Sequence, residues 1–461
     1  MPDPIAYARA HQADYLAELI DFLRIPSIST QPERTEDTAV AAQWLADKMK
    51  QAGLENVEII ATQRHPLVYA DWLHAGDAPT VLIYGHYDVQ PAEPLELWDS
   101  PPFEPTVRDD FLYARGASDD KGQVYVHVKA VEAILQSNGR LPVNVKFIVE
   151  GEEESGGESL EAFIPQNKAK LAADVALVSD TAMVNAQQPA IVYGLRGMCY
   201  AYIDIVGPKR DLHSGSFGGG INNPLNVLGH IIAKLKDEDG RVLIPGFYDA
   251  VRPLTEQERN ILAQFPLDEA AWLAETGAPE PWGDPDYTLV ERLGARPTLD
   301  VHGIIGGYTG PGAKTVLPSK VHAKLSMRLV PDQEPDEIFH LLKAYVAKLA
   351  PPSVKVTVTL EHGALASITD FNIPAMQAAA KAYATAFGEE PFFMREGGSI
   401  PVVSQFQSEL GLETVLMGFG LPGDQIHAPN ERFYLPNFYR GIETSIHFLQ
   451  NLASGSFEEW Q

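Results

Sequence analysis

The sequence predicts an α/β protein: a main domain with a mainly parallel central sheet flanked by helices, interrupted by an inserted α+β domain. Three observations carry that expectation. Short apolar strands alternate with longer helical stretches from about residue 57 to 180, the order that builds a parallel sheet with helices on its faces. Past YGLRG (193–197) the pattern becomes a shorter block of strands and helices, and the α/β character returns from about residue 370. The chain has 461 residues, beyond the size at which one hydrophobic core usually stops growing, so two domains are expected. The main domain is assigned 1–196 and 368–461, and the insert 197–367.

The elements follow from periodicity. Ile5, Leu16, Leu19, Ile20 and Leu23 stand at helical spacing and predict one amphipathic helix over 4–23. VEII (57–60), PLVYA (66–70) and VLIYG (81–85) are apolar, β-branched runs that predict strands. Val124, Val128, Val131 and Leu135 form a helix stripe, followed by strands at 143–149 and 175–179. In the insert, 198–207 predicts a strand, Pro224 to Leu235 a helix, 320–330 an edge or half-buried strand, Asp336 to Leu349 a helix and 354–361 a strand. The stretch 244–300 is Pro-rich and predicts no regular element. A helix over 374–386, a strand at 414–418 and a helix over 436–452 complete the chain.

Bulk composition narrows the function. The net charge of −27 argues against nucleic acid and against an anionic membrane surface, both of which repel so much like charge. No apolar run reaches the ~18 residues a membrane span needs. The first residues lack the basic and apolar regions of a secretory signal. The one cysteine, Cys199, excludes an internal disulfide framework and suits a reducing compartment, so a cytoplasmic protein is expected. Cys199 itself has no activating neighbour in sequence and is expected in a core.

Four segments promise chemistry: GHYDV (85–89), GASDDKG (116–122), EGEEESGG (150–157) and VSDT (178–181). Each is expected just past the C-terminal end of a strand, where open α/β sheets place ligands. A fifth, GDQIHAPNE (423–431), follows the strand at 414–418. If these ends meet, Asp88, Asp119, Asp120, Glu153, Glu154 and Asp180 share one cleft, and so many carboxylates do not all ionise without a compensating cation. His86 and His427 add imidazole, which suits zinc, while the carboxylates also accept manganese or cobalt. Acids facing solvent at loop ends are the other reading of the same residues. The His86-x-Asp88 spacing favours metal, because residues two apart in an extended segment face one way and Asp88 can orient the His86 ring.

Together, GHYDVQPAE, RGASDDKGQ, EGEEESGG, YGLRG, DLHSGSFGG, GAKTVLP, MRLVP and REGGSIP resemble the di-metal metallopeptidase family of carboxypeptidase G, aminoacylase-1, succinyl-diaminopimelate desuccinylase and the carnosine dipeptidases. The resemblance spans nearly the whole chain and is strongest to the carnosine, or cytosolic non-specific, dipeptidase branch. It implies a zinc-peptidase-like catalytic domain, an insert that serves as lid or dimerisation domain, and two divalent ions per subunit, Zn²⁺ first, with Mn²⁺ or Co²⁺ as substitutes. By it, His86 and Asp180 hold one ion, Glu154 and His427 the other, and Asp119 bridges them. Glu153 is implied as the general base, Asp88 as a catalytic support to His86, and the Asp119–Asp120 peptide bond as cis. The family pattern takes the last two glutamates before Ser-Gly, which leaves Glu152 a bystander.

The insert adds substrate groups by the same resemblance. On its own, His213 in DLHSG reads first as a part-buried structural histidine, and the resemblance reverses that. In the family it reaches the neighbouring subunit's site and stabilises the oxyanion, which implies a homodimer through the inserted domain. Thr315 is implied as a substrate contact across that dimer, and Arg328 as the clamp for a free carboxylate, a task that suits a planar guanidinium. Gly398 and Ser399 are expected to line the same pocket. The remaining histidines have no defensible ligand spacing, and GSFGGG (215–220) lacks the Lys-Ser/Thr ending of a phosphate loop.

The function implied is hydrolysis of dipeptides or other short peptides by metal-activated water. An N-acyl-amino-acid deacylase or desuccinylase on the same ions is the alternative, since it too attacks an amide. A non-catalytic peptide- or metal-binding protein on this fold is the more remote one, because every ligand position and Glu153 are filled.

Overall fold

Buried strands rich in apolar residues form the centre of a mixed sheet. A computed structural model describes residues 3–455, which divide into two units. The first holds the described residues up to Tyr193, Thr369–Met394 and those from Gln405 onward; the second holds Gly194–Ile368 and Arg395–Ser404.

In the first unit the sheet order is Glu55–Ile60, Leu67–Trp72, Asn144–Glu150, Thr80–His86, Val175–Val178, Thr414–Leu416 and Ala190–Leu195. The four strands from Asn144–Glu150 to Thr414–Leu416 pair in parallel. They are buried along almost their whole length, which is why apolar residues recur on both faces, as in Val81–Tyr84 and Val175–Val178, rather than alternating with polar ones. The flanks are antiparallel. Residues 61–66, which join the first two strands, are too few for the crossover a parallel pair needs. Helix Lys121–Asn138 is buried on nearly every side and stops where Gly139 turns left-handed at φ 69°.

The amphipathic helix expected over 4–23 is two helices, Pro4–Ala10 and Gln12–Leu23. His11 separates them: its backbone is non-helical, its Nδ1 lies 2.8 Å from Tyr7 O, and its ring stacks on Tyr7 at 4.0 Å. The side chain thus shares the Tyr7 carbonyl with the His11 backbone N–H, which lies 3.2 Å from it.

The second unit is built on a four-stranded antiparallel sheet, in the order Thr298–Gly306, Lys320–Leu329, Gly197–Val206, Lys355–Ala364. Lys320–Leu329 is an interior strand, paired on both sides; its alternation reflects one buried face, not an edge. Cys199, Ala201, Ile203 and Ile205 turn inward to pack on helices Pro224–Ile232 and Pro335–Leu349. Burial pushes the Cys199 thiol up to about 12, the state of an inert core residue.

The stretch 244–300 holds three short helices, Glu256–Gln264, Glu269–Thr276 and Leu289–Gly294. Two begin with a capping box, Thr255 with Glu258 and Thr288 with Glu291. They are tied by ion pairs, Arg259 to Glu291 at 2.8 Å and Arg395 to Glu258, more than by an apolar stripe. The Arg395 pair also explains why residues 395–404 group with this unit rather than with the returning part of the first. Among the described residues no helix is long and apolar enough to cross a membrane.

Candidate metal centre

The chemical residues of the first unit arrive on strand ends. His86 is the last residue of Thr80–His86, Asp88 stands two further on, and Asp180 stands two past Val175–Val178. Glu153 and Glu154 share a single 3₁₀ turn, Glu153–Ser155, beyond Asn144–Glu150. His427 follows Thr414–Leu416 with a left-handed φ of 58°, a region histidine enters more readily than most side chains. Asp119 departs from the expected placement. The strand before it, Phe111–Tyr113, belongs to a small three-stranded sheet with Thr106–Arg108 and Arg432–Tyr434, not to the central sheet. Asp119 lies in the loop between that sheet and helix Lys121–Asn138, and its bond to Asp120 is cis.

These residues converge in two groups that share one member. His86, Asp119 and Asp180 form the first, and Asp119, Glu154 and His427 the second; within each group the ligand atoms lie within 4.8 Å of one another. Asp119 presents Oδ1 to His86 Nε2 at 3.0 Å and Oδ2 to His427 Nε2 at 2.9 Å. Glu154 Oε1 lies 3.2 Å from His427 Nε2. One carboxylate offering an oxygen to each group has the arrangement of a bridging ligand. The donor set, two imidazoles and three carboxylates, fits zinc and its divalent neighbours.

The ligands are oriented from behind. His86 Nδ1 lies 3.1 Å from the Asp88 carbonyl and 3.4 Å from Asp88 Oδ1, which turns Nε2 toward Asp119. Asp88 Oδ2 also accepts from the Glu154 amide at 3.1 Å, so one buried carboxylate sets both the imidazole and the glutamate turn. Gln90 Nε2 donates to Glu154 Oε2 at 2.7 Å.

The three consecutive glutamates separate by their partners. Glu152 is buried and accepts from His65 N at 2.8 Å and Ser159 Oγ at 2.6 Å, a structural anchor. Glu154 is engaged by Gln90 and His427. Among the described residues no hydrogen bond ties down the Glu153 carboxylate, which leaves it open to exchange a proton.

Taken by themselves these groups are electrostatically unbalanced. Burial pushes the Glu153 and Asp120 carboxyls well up, and neighbouring acids add to it, Asp180 and Glu154 for Glu153, Asp180 and Asp119 for Asp120; His86 opposes in both cases. Burial would lower His86, but hydrogen bonds to Asp119 and Asp88 outweigh it and hold the imidazole well above its usual range. Hydrogen bonds to Asp119 and Glu154 raise His427 to about 10. Asp119 is buried too, yet the two imidazoles pull it down. Protons here do the work that cations would do, and divalent ions would displace them on binding.

Glu431 escaped the sequence reading. It is buried, and its Oε1 accepts from the amides of Ser118 and Asp119 at 3.0 and 3.1 Å. Its Oε2 accepts from Gly116 N at 3.0 Å and Arg115 Nη1 at 2.7 Å. It therefore fixes the loop that delivers Asp119, from a position four residues past His427. The acid in HAPNE is visible in the sequence, but its partners are more than three hundred residues away.

In the second unit, Arg328 Nη1 donates to Ser399 Oγ at 2.9 Å, and Ser399 Oγ donates to Arg196 O at 2.5 Å. Gly398 beside it is exposed. His213 and Thr315 lie side by side: Leu212–His213 pairs with Val316–Leu317, and Ser214 N donates to Thr315 O at 3.0 Å. Both side chains are exposed.

The pattern of peptidase family M20/M25/M40 matches residues 82–451. Among curated proteins, the Cys-Gly metallodipeptidase DUG1 of Candida albicans is 35% identical over 453 residues, 93% of this chain and 93% of the relative. The human Beta-Ala-His dipeptidase is 33% identical, covering 97% of this chain and 92% of its own length. Among solved structures, the M20 family metallo-carboxypeptidase Sso-CP2 of Sulfolobus solfataricus superposes with a TM-score of 0.86 at 35% identity, over 95% of this chain and 99% of that one.

Proposed function

Because the chain belongs to peptidase family M20/M25/M40, we propose that it is a metal-dependent dipeptidase, hydrolysing the peptide bond of dipeptides and similarly short peptides. The observation that carries this reading is Asp119, with one carboxylate oxygen toward each of two ligand groups. In this reading His86 and Asp180 hold one ion, Glu154 and His427 the other, and Asp119 both; zinc is the expected metal, with manganese or cobalt as substitutes. Such ions, when bound, lower the pKa of water and polarise the scissile carbonyl.

The chain's own groups do the rest. Glu153 takes the proton of the attacking water and returns it to the departing amine. Asp88 keeps His86 in the tautomer that leaves Nε2 for metal. Arg328, with Ser399 and Gly398 beside it, receives the substrate's free carboxylate, and Thr315 contacts the substrate. His213 meets the developing oxyanion. Relatives named for dipeptide hydrolysis favour this reading over an N-acyl-amino-acid deacylase. Nucleic acid and membrane play no part in it, and the single cysteine suits the cytoplasm.

Metal analysis followed by substrate profiling tests the proposal. Stripped enzyme is expected to lose activity and regain it with zinc, manganese or cobalt, with two ions bound per chain, one for each ligand group. A panel of dipeptides and N-acyl amino acids is then expected to favour the dipeptides. Turnover confined to the N-acyl compounds would assign the chain to the deacylases instead.

We further propose a homodimer through the inserted unit, with His213 and Thr315 serving the partner's centre. Their exposure, His213 on its strand and Thr315 just before the paired one, supports a role outside their own unit's core. Co-expression of His213→Ala with Asp119→Ala chains separates the cases. Neither variant is active alone, but a heterodimer has one centre with both metals and an intact histidine, so ~25% of wild-type activity is expected from random pairing. No recovery in a confirmed heterodimer would confine His213 to its own subunit.

A further inference from the structure

Arg328 has a neighbour that the family resemblance does not assign. Arg196 stands two residues before Met198, and Met198 lies opposite Arg328 in the sheet register. Arg196 itself stands just before the strand Gly197–Val206, near enough for the charge of Arg328 to act on it. Ser399 links them, accepting from Arg328 Nη1 and donating to the Arg196 carbonyl.

Among the described residues the Arg196 guanidinium is held by carbonyls alone, Nε to Gly397 O at 3.2 Å and Nη1 to Arg296 O at 3.3 Å. Its Nη2 packs against Gly397 so closely that a Cβ there would stand 2.5 Å away. Glycine at 397 is thus what admits the guanidinium. Among the described residues neither Arg196 nor Arg328 makes an ion pair with a carboxylate. Asp300, whose charge acts on Arg196, is paired with Lys236 Nζ at 3.1 Å. Burial, then the charge of Arg328, pulls Arg196 down to about 10. Two partly buried like charges without an anion between them are costly, and they form a strong receptor for one.

We propose that Arg196 and Arg328 together form a two-guanidinium subsite for the C-terminal carboxylate of the substrate, with Ser399 fixing the spacing of the pair. This rests on the reading of Arg328 as the carboxylate clamp and adds a second specificity-determining residue to it. The subsite selects substrates with a free C-terminus, and a C-terminal amide, carrying no charge, gains nothing from the second arginine.

The test uses the holoenzyme, the dipeptide it turns over fastest, and that dipeptide's C-terminal amide as alternative substrate or competitive inhibitor. R196M is expected to raise KM for the free dipeptide ~10–100-fold, the worth of a charge-assisted contact, while affinity for the amide stays within about threefold. R196K, which keeps the charge but loses the planar fork, is expected to fall between, and it carries the test if R196M does not fold. Equal weakening of acid and amide would make Arg196 a scaffold residue and overturn the proposal; so would no change in either. R328M run in parallel separates the premise. If it leaves the acid–amide difference intact, the clamp reading of Arg328 fails, whatever R196M shows.

Discussion

A Glu153→Ala enzyme is expected to bind both metal ions and to lose ~3–5 orders of magnitude in turnover, since one residue serves as base and then as acid. The expectation comes from the division of labour among Glu152, Glu153 and Glu154. Glu152 is spent on His65 and Ser159, and Glu154 is turned toward His427 by Gln90. Glu153 sits on the same turn, close enough for the charges of Asp180, Glu154 and Asp119 to act on it, yet no hydrogen bond among the described residues restrains its carboxylate. Elemental analysis and steady-state turnover on one preparation check both halves of the expectation. Loss of an ion in this variant would move Glu153 into the ligand set. Undiminished turnover with both ions bound would remove it from the mechanism. Glu152→Ala serves as the comparison, expected to lower stability without abolishing the chemistry.

How much of this was legible in the chain depended on whether the information was local. The central strands declared themselves because burial on both faces favours apolar runs, unbroken in Val175–Val178. The His86-x-Asp88 relation was readable because it spans two residues of extended chain. The three helices in 244–300 were missed because hydropathy is blind to what stabilises them, although the Thr-x-x-Glu pattern at 255–258 and 288–291 was there to be read. The sheet that delivers Asp119 escaped because strands of three residues carry no periodicity. Glu431 and Arg196 are the instructive cases. Each is an ordinary charged residue in sequence, and each acquires its role from backbone groups or a second charge brought close only by the fold, as when Glu431 meets the Asp119 amide. The break at His11 is the converse: a helical stripe was correct in spacing, and a single residue within it turns non-helical, its imidazole on a carbonyl four residues back.

Asp119→Ala is expected to have the larger consequence for metal, because it alone removes a ligand from both groups. Asp180→Ala takes a donor only from the group of His86, and Glu154→Ala only from that of His427; each should weaken one ion and spare the other. In Asp119→Ala both ions should weaken by ~10²–10³-fold, about one ligand's part of the ~10–16 kcal/mol that a four-ligand zinc site provides. Activity should then vanish at any metal concentration that sustains the single-group variants. The electrostatics point the same way: His86 and His427 each lose the carboxylate oxygen that faces them, at 3.0 and 2.9 Å, and the paired arrangement loses its only shared member. Calorimetric titration of stripped protein with zinc distinguishes the cases by stoichiometry before any substrate is added. Two ions retained at wild-type affinity in Asp119→Ala, or one lost and one untouched, would mean that the carboxylate does not bridge, and the centre would have to be redrawn as two independent sites or as one.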